Sequence, residues 1–123
     1  MRKKVTILLP AFNEESSFPI ICSNMEQVLA DNSEYDWEFL MVNDGSTDNT
    51  LLQMERLRQI DPEHYCYIDL SRNYGKEIAM MAGFDYATGD ALIIMDADMQ
   101  HPISVITEML KYWEEGYDDV YAQ

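Results

Sequence analysis

The chain has 123 residues, 47% of them hydrophobic, which is enough for one domain with a real core but not for two. Its 23 acidic residues outnumber the 8 basic ones and give a net charge of -15. This charge argues against nucleic acid or an anionic membrane surface as a partner, because both are bound through clustered Lys and Arg.

Short apolar runs alternate with helical patterns along the chain. Residues 5–9 predict a buried strand that ends at Pro10, because proline cannot donate to a central ladder. A helix to about Ala30 follows, with Ser16 and Ser17 as candidate caps. The later predicted elements are a strand at 37–42, a helix ending near 60, a strand at 65–70, a helix at 77–87, a strand at 91–95, a helix at about 102–116 and a strand from 118.

This alternation of strands and helices predicts an α/β fold, with a mostly parallel sheet and helices on both faces. We expect residues 1–123 to form one domain. The pattern stops on a strand without a closing helix, so we expect the front part of a longer protein, truncated at its carboxyl end.

The fourth predicted strand ends abruptly in Asp96-Ala97-Asp98, and Gln100, His101 and Pro102 follow. Carboxylates at this end of a parallel strand lie where such sheets bind ligands, and they suit a divalent cation beside a phosphate. All-oxygen ligands favour Mg²⁺ or Mn²⁺, whereas zinc prefers His and Cys. The alternative is an acidic turn that only caps the next helix.

The other three predicted strands also end in polar residues. Because the carboxyl ends of parallel strands share one edge of the sheet, these residues predict a single site. The clusters are Asn13, Glu14 and Glu15; Asn43, Asp44, Gly45 and Ser46; and Ser71, Arg72, Asn73, Gly75 and Lys76.

The residue types at this edge suggest individual roles. Asp44 and Glu14 can accept from a nucleobase N–H or a ribose hydroxyl, and Gly45 lets backbone approach a ligand closely. Arg72 and Lys76 are two of only 8 basic residues, and their placement favours phosphate contact.

Each cluster also has a purely structural interpretation. Residues 43–46 alone are typical of a turn and helix cap, and Glu14 and Glu15 alone are typical of first-turn acids facing a helix dipole. The Gly75-Lys76 pair lacks the frame of a phosphate loop, and no dinucleotide-binding glycine motif occurs.

Four co-linear segments carry a resemblance to a known family: 5–15 (VTILLPAFNEE), 42–50 (VNDGSTDNT), 71–83 (SRNYGKEIAMMAG) and 96–102 (DADMQHP). They resemble inverting family 2 glycosyltransferases with the GT-A nucleotide-diphospho-sugar transferase fold. The group they resemble most is the polyprenyl-phosphate sugar transferases, such as dolichol-phosphate mannose synthase and bacterial undecaprenyl-phosphate glycosyltransferases.

The resemblance implies that four residues line the nucleobase and ribose pocket: Pro10, Phe12, Asn13 and Glu14. It also implies that Asp44 binds the nucleoside and that Asp96 faces the donor sugar or ribose. With Asp96, it implies Asp98 and Gln100 as metal ligands, because Gln is typical of D-x-D-x-Q in the lipid-phosphate group. Met99 stands where Leu is more usual. By residue type and resemblance together, the expected nucleotide-sugar-binding residues are Pro10, Phe12, Asn13, Glu14, Asp44, Gly45, Arg72, Gly75, Lys76 and Asp96.

The implied activity is transfer of a hexose from a UDP- or GDP-sugar to an acceptor, with inversion, and the expected acceptor is a polyprenyl phosphate. The catalytic base and acceptor-side residues are expected beyond Gln123, with any membrane anchor, so this chain alone should be inactive. We expect the chain to be cytoplasmic and the whole protein to act at the cytoplasmic face of the cell membrane.

Three alternatives remain at this point. A related transferase could act on a polysaccharide or glycolipid, and the same fold could serve as a non-catalytic nucleotide-binding module. The third is a response-regulator-like acidic pocket, which predicts a lone Asp on the third strand and a Lys on the fifth. Asp69 meets the first condition, but no such Lys occurs before the chain ends.

Overall fold

The structure is a computed structural model that describes residues 3–95, 106 and 108–111. Residues 106 and 108–111 are helical, inside the predicted fourth helix, and the predicted strand from 118 lies outside the described residues. A short 3-10 helix, Glu15–Ser17, precedes the first α-helix. The described elements are β1 (Lys4–Ala11), α1 (Phe18–Asp31), β2 (Asp36–Asp44), α2 (Thr50–Ile60), β3 (Tyr65–Leu70), α3 (Lys76–Tyr86) and β4 (Ala91–Ile94).

The four described strands form one sheet in the order β3-β2-β1-β4, and every pairing is parallel. The chain adds β2 and β3 on one side of β1 and then returns to place β4 on the other side. Ligands of open α/β sheets bind at such a reversal of strand order, outside the carboxyl ends of the strands. A response-regulator-like sheet has the order 2-1-3-4-5, so the topology excludes that alternative.

The sheet separates two layers of buried apolar side chains, which confirms helices on both faces. Because side chains alternate across a strand, Ile7 and Phe39 face α1 and α2, while Leu8 and Leu40 face α3. The layer under α1 and α2 is the larger, and α3 contributes the small residue Ala79 to the other. The apolar core therefore holds β1 and β2 rigidly below the loops at their carboxyl ends.

The predicted end of the first strand at Pro10 is wrong, because β1 runs through Pro10 to Ala11. The carbonyls of Lys4 and Leu8 accept from Asp90 and Met95, on the β4 side of the strand. Since backbone groups alternate along a strand, the nitrogen of Pro10 also faces that side. The described pairing between β1 and β4 ends at Leu8. Pro10 has no N–H group, but none of the hydrogen bonds in the described part of the sheet requires one there.

Ser17, one of the two predicted caps, occupies the N-cap position of α1 but lacks the expected capping bond. The chain enters α1 through the 3-10 turn, and Ser17 at the N-cap position makes no side-chain capping bond. Its hydroxyl donates instead to Oε2 of Glu14 at 3.2 Å. Pro19 in the first turn fits this entry, because a helix leaves its first N–H groups unpaired in any case.

Both cysteines are free, half-buried thiols. Burial raises the pKa of Cys22, and it raises the pKa of Cys66 to about 11. Thiols of this kind carry little thiolate at neutral pH and are poor nucleophiles. Among the helices described, none combines the length and apolar character that crossing a bilayer requires.

The connection from α3 to β4 is held by a polar network around Glu38 on β2. The Oε1 atom of Glu38 accepts from the Thr6 hydroxyl at 2.8 Å and from the Thr88 N–H at 3.1 Å. The Thr88 hydroxyl donates to Oε2 at 2.9 Å, and the ammonium of Lys4 lies 3.7 Å away. One carboxylate thus joins β1, β2 and the segment that leads into β4.

We expect Glu38→Gln to lower the free energy of unfolding at neutral pH by about 1 to 2 kcal/mol, because it removes charge-assisted hydrogen bonds. Burial alone would raise the pKa of Glu38, but hydrogen bonds from Thr88 and Thr6, with the Lys4 charge, lower it below its ordinary 4.5. The ionised carboxylate therefore stabilises the fold above that pH, and its contribution is lost as the pH falls through the lowered pKa.

Urea denaturation over a series of pH values, from neutral to acidic, measures this effect, and the gap between the free energies of unfolding of the two proteins should narrow as the pH falls. Glu34→Gln removes an exposed carboxylate of the same type and is the matched control, with little expected change. A stability gap for Glu38→Gln that persisted below the folded pKa would contradict the assignment of the effect to the ionised form.

Candidate functional site

The loops after β1, β2 and β3 meet at one edge of the sheet, as the sequence predicts. Side chains of the first loop bond to backbone of the second, and a side chain at the end of β2 bonds to backbone of the third. The fourth predicted cluster, including Asp96, Asp98, Gln100 and His101, lies outside the described residues. Three of the four predicted clusters therefore form one continuous surface.

Asn13 connects the first loop to the second. Its Oδ1 accepts from the Thr47 N–H at 2.7 Å, and its own N–H donates to the Ser46 hydroxyl at 2.9 Å. Asn13 has a φ of 53°, in the left-handed region that asparagine enters more readily than most residues. The side-chain oxygen of this predicted pocket residue is thus used to hold the neighbouring loop.

Two more contacts close the same pair of loops. The N–H of Glu14 donates to the Thr50 hydroxyl at 2.9 Å. The carboxylate of Glu15 accepts from the N–H of Asn49, the residue before α2, at 3.1 Å. Glu15 lies in the 3-10 turn before α1, yet its carboxylate bonds at the start of the neighbouring helix, which the sequence pattern alone did not indicate.

Asp48 lies just before α2, and its carboxylate accepts hydrogen bonds from Thr50, the first residue of that helix. Its Oδ1 accepts from the N–H and the hydroxyl of Thr50 at 2.9 and 2.5 Å, and its Oδ2 accepts from the Glu15 N–H at 3.1 Å. Burial alone would raise the pKa of Asp48, but these hydrogen bonds lower it. The carboxylate therefore stays ionised at neutral pH and fixes the ends of both loops.

Asp44, the last residue of β2, holds the third loop. This residue is 3% exposed, and its two carboxylate oxygens accept from the backbone N–H groups of Tyr74 and Gly75 at 2.8 and 3.1 Å. Gly45 follows with a φ of 69°, and a Cβ there would lie 2.2 Å from the Arg72 carbonyl carbon. The close approach expected at Gly45 is made here by the protein's own backbone.

The third loop presents the two predicted phosphate-binding cations. The guanidinium of Arg72 lies 5.1 Å from the ring centroid of Tyr74, whose hydroxyl is 3.2 Å from the Ser71 hydroxyl. The hydrogen bond with Ser71 and the charge of Arg72 lower the pKa of Tyr74. Lys76 begins α3, directly after Gly75 at a φ of 99°. Both cations are exposed and could meet an anion from the solvent side.

The four residues expected to line a nucleobase pocket differ in accessibility. Phe12 is 43% exposed, and Asn13 is also exposed. Glu14 is half-buried, and Pro10 is buried within β1. A planar ligand at this edge could therefore contact Phe12 directly, whereas Pro10 supports the strand beneath it.

The predicted metal ligands follow the described end of β4 in the sequence and lie outside the described residues. Ile94 pairs with Leu8, and the N–H of Met95 donates to the Leu8 carbonyl at 2.9 Å, so the chain leaves β4 beside β1 at the carboxyl edge. The next acidic residues follow directly in the sequence. Two carboxylates and an amide form an all-oxygen set that fits Mg²⁺ or Mn²⁺.

A second acidic cluster lies at the opposite edge of the sheet. Ligand-type atoms of Asp61, Glu63 and His64, just before β3, lie within 4.8 Å of one another. The Nδ1 atom of His64 is 2.7 Å from Oδ2 of Asp61, which closes the turn between α2 and β3. This cluster is separate from the three joined loops and forms no part of the candidate site.

Comparison with known proteins assigns the chain to a family. Residues 6–123 match the family described as Glycosyl transferase family 2. The chain is 39% identical over 124 residues to undecaprenyl-phosphate 4-deoxy-4-formamido-L-arabinose transferase of Proteus mirabilis, covering 95% of this chain and 36% of that protein. It is 38% identical over 120 residues to a prophage bactoprenol glucosyl transferase homolog of Escherichia coli, covering 98% and 39%. The chain thus spans less than half the length of these relatives.

A solved structure shows the same fold. Mannosyltransferase PcManGT from Pyrobaculum calidifontis, in complex with GDP-Man and Mn²⁺, superposes with a TM-score of 0.76 at 23% identity. The alignment covers 91% of this chain and 32% of that one. The likeness confirms the predicted GT-A fold, with its parallel sheet and its helices on both faces.

Proposed function

This chain belongs to glycosyltransferase family 2, and we propose that it forms the donor-binding part of a transferase that moves a hexose from a UDP- or GDP-sugar to an acceptor with inversion. The observation that carries the proposal is the joined edge of three loops. In a chain with a net charge of -15, two exposed cations, Arg72 and Lys76, lie on that edge. An edge of this kind suits a ligand with a diphosphate.

The proposed donor site has three parts. Phe12 and Glu14 lie on either side of Asn13 in the first loop and would contact the nucleobase and ribose. Arg72 and Lys76 would contact the diphosphate. Asp96 would face the donor sugar, directly beyond the end of β4.

A divalent ion, Mg²⁺ or Mn²⁺, belongs to the same proposal. The residues that would hold it are Asp98, Gln100 and Asp96, whose oxygens fit such an ion. When bound, the ion would neutralise charge on the diphosphate, including the negative charge that the diphosphate gains as the sugar leaves it. Support comes from the fold neighbour, which was solved with GDP-Man and Mn²⁺.

We propose a polyprenyl phosphate as the acceptor, because both relatives above are named for undecaprenyl phosphate or bactoprenol. A phosphate acceptor is already anionic and needs little help from a general base, so the proposal does not require a base among the described residues. The whole protein would then act at the cytoplasmic face of the membrane, where a nucleotide sugar and a lipid phosphate can meet.

Thermal unfolding with UDP, GDP and their sugars, each with Mn²⁺, Mg²⁺ or a chelator, tests the donor site. A ligand at about 100 times its dissociation constant should add about 2.7 kcal/mol to the free energy of unfolding, which is easily seen as a higher melting temperature. We expect one base to give a metal-dependent shift and a cytidine nucleotide to give none. The absence of a shift with every UDP and GDP compound at millimolar concentration would contradict the proposal.

A further inference from the structure

Two consecutive backbone amides of the first loop are held by one pair of side chains, Asp48 and Thr50. The N–H of Glu14 donates to the Thr50 hydroxyl at 2.9 Å, and the N–H of Glu15 donates to Oδ2 of Asp48 at 3.1 Å. The two side chains are also joined to each other, because the Thr50 hydroxyl donates to Oδ1 of Asp48 at 2.5 Å. A change in either side chain therefore reaches the backbone of the first loop.

We propose that Asp48 and Thr50 are positioning residues for the nucleoside of the donor. They would hold the first loop in the shape in which Phe12 and Glu14 meet the nucleobase and ribose, and would act on the nucleoside through that loop. The proposal rests on the proposed function and adds to the same site two residues from the start of α2.

The first loop needs such a support because its own backbone is irregular. Asn13 has a φ of 53°, and Glu14 has a φ of -108° and a ψ of 26°, so two successive residues lie in sparsely populated regions. Backbone of this kind persists only where the surrounding structure fixes it. The 3-10 helix begins at Glu15, so the bonds to Asp48 and Thr50 hold the chain where the irregular segment ends.

The pair is fixed to the core of the protein. Thr50 is the first residue of α2 and is fully buried, and α2 in turn packs on the core through Met54. Asp48 is half-buried, and burial alone would raise its pKa, but hydrogen bonds from Thr50 and Glu15 lower it. The carboxylate is therefore ionised at neutral pH, and hydrogen bonds to a charged acceptor are stronger than those between neutral groups.

The way the loop is held favours an effect on the nucleoside and not on the diphosphate. Successive free amides can form a concave site for anions. The amides of residues 13–15 donate instead to three side chains that follow β2: Ser46, Thr50 and Asp48. The first loop can still offer the ring of Phe12, which is 43% exposed, whereas the exposed cations lie on the third loop.

Thr50→Val and Thr50→Ser form a matched pair of variants. Valine keeps the shape of threonine and removes the hydroxyl group, whereas serine keeps the hydroxyl group and removes one methyl group. Uridine and guanosine binding is followed by ligand-observed NMR. For the nucleoside that the unchanged protein binds, we expect Thr50→Val to weaken affinity about fivefold or more and Thr50→Ser by less than about twofold. An equal loss in both variants would assign the effect to packing and overturn the proposal.

Inorganic pyrophosphate with Mg²⁺, titrated by calorimetry, separates positioning of the first loop from damage to the whole site. We expect its affinity to change by less than about twofold in Thr50→Val and in Asp48→Asn, which keeps the size of the side chain and removes its charge. Asp48→Asn should weaken nucleoside binding about fivefold or more, as Thr50→Val does. An equal loss of nucleoside and pyrophosphate affinity in either variant would overturn the proposal.

Glu38→Gln is the control for a general loss of stability. It removes hydrogen bonds around Thr6 and Thr88, in a network separate from the first loop. We expect it to change nucleoside affinity by less than about twofold. A loss as large as that in Asp48→Asn would show that lower stability alone weakens binding, and it would overturn the proposal.

Hydrogen exchange of single amides tests the geometry without any ligand. The amides of Glu14 and Glu15 should exchange slowly in the unchanged protein and faster in Asp48→Asn and Thr50→Val, while β1 stays protected. Fast exchange of both amides in the unchanged protein would overturn this proposal alone, even if a nucleoside binds. Slow exchange without binding of uridine, guanosine or any of their nucleotides would contradict the proposed function, and this proposal with it.

Discussion

Gly45→Ala should lower the free energy of unfolding by about 3 kcal/mol or more, through two independent costs. The first is conformational, since Gly45 has a φ of 69° and an L-residue in this region is strained. The second is steric, since the added Cβ would lie 2.2 Å from two backbone atoms of Arg72 and Asn73. Backbone cannot rotate away as a flexible side chain can, so the third loop must shift as a whole.

Denaturant unfolding measures the loss, and Ser46→Ala is the control in the same loop. Ser46 accepts one hydrogen bond, from the Asn13 N–H at 2.9 Å, so its truncation should cost only about 1 kcal/mol. We expect Gly45→Ala also to expose the amides of Tyr74 and Gly75 to exchange. Equal stabilities for the two variants would show that the loop does not pack on Gly45 as described.

The strand and helix pattern was predictable because the core dictates it. Apolar runs predict β3 with the bounds observed, and helical spacing predicts a helix that ends near residue 60, where α2 ends. The end of β1 was not predictable, because the cost of Pro10 depends on which neighbour its nitrogen faces. That neighbour is β4, which lies more than 80 residues further along the chain and is paired only as far as Leu8.

The location of the site was predictable for a different reason. Parallel strands have their carboxyl ends at the same edge of a sheet, whichever contacts their side chains make. The edge that carries the site could therefore be predicted from the topology alone. The partners of the individual side chains did not follow from it. The bonds that join Asn13 to Thr47 and Asp44 to Tyr74 connect residues 34 and 30 positions apart, and no local pattern encodes them.

The same residue types serve ligands and loops, and Asp44 is an example. Its residue type predicts a contact with a ligand, and in the structure its oxygens accept hydrogen bonds from the third loop. A carboxylate accepts equally well from a ribose hydroxyl and from a backbone amide. Because a glycine has no side chain, it leaves room equally for a bound phosphate and for another backbone segment of the protein. Residue chemistry therefore identifies a polar edge, and only the three-dimensional contacts separate the side chains that build the edge from those that remain exposed on it, such as Arg72.

Asp98→Ala should have the largest effect on activity of any substitution considered. In the full-length protein we expect sugar transfer to fall on the order of a thousandfold, since a bound divalent ion contributes several kcal/mol to stabilising phosphate charge. The stabilisation of the protein by a nucleoside diphosphate should lose its dependence on Mn²⁺ or Mg²⁺. Free nucleoside should still bind, because the contacts proposed for it lie in the loop after β1.

Asp90→Asn is the control for Asp98→Ala. It shows whether the loss of any acidic residue next to β4 in the sequence has the same effect. Asp90 lies just before β4 at the opposite edge of the sheet, where its Oδ2 accepts from the Lys4 N–H at 2.9 Å. Its replacement should reduce stability by about 1 kcal/mol and leave the metal dependence intact. If Asp98→Ala kept its metal dependence, the ligand assignment would be wrong. If both variants lost it, the effect would come from the placement of β4 beside β1 and not from a bound ion at its carboxyl end.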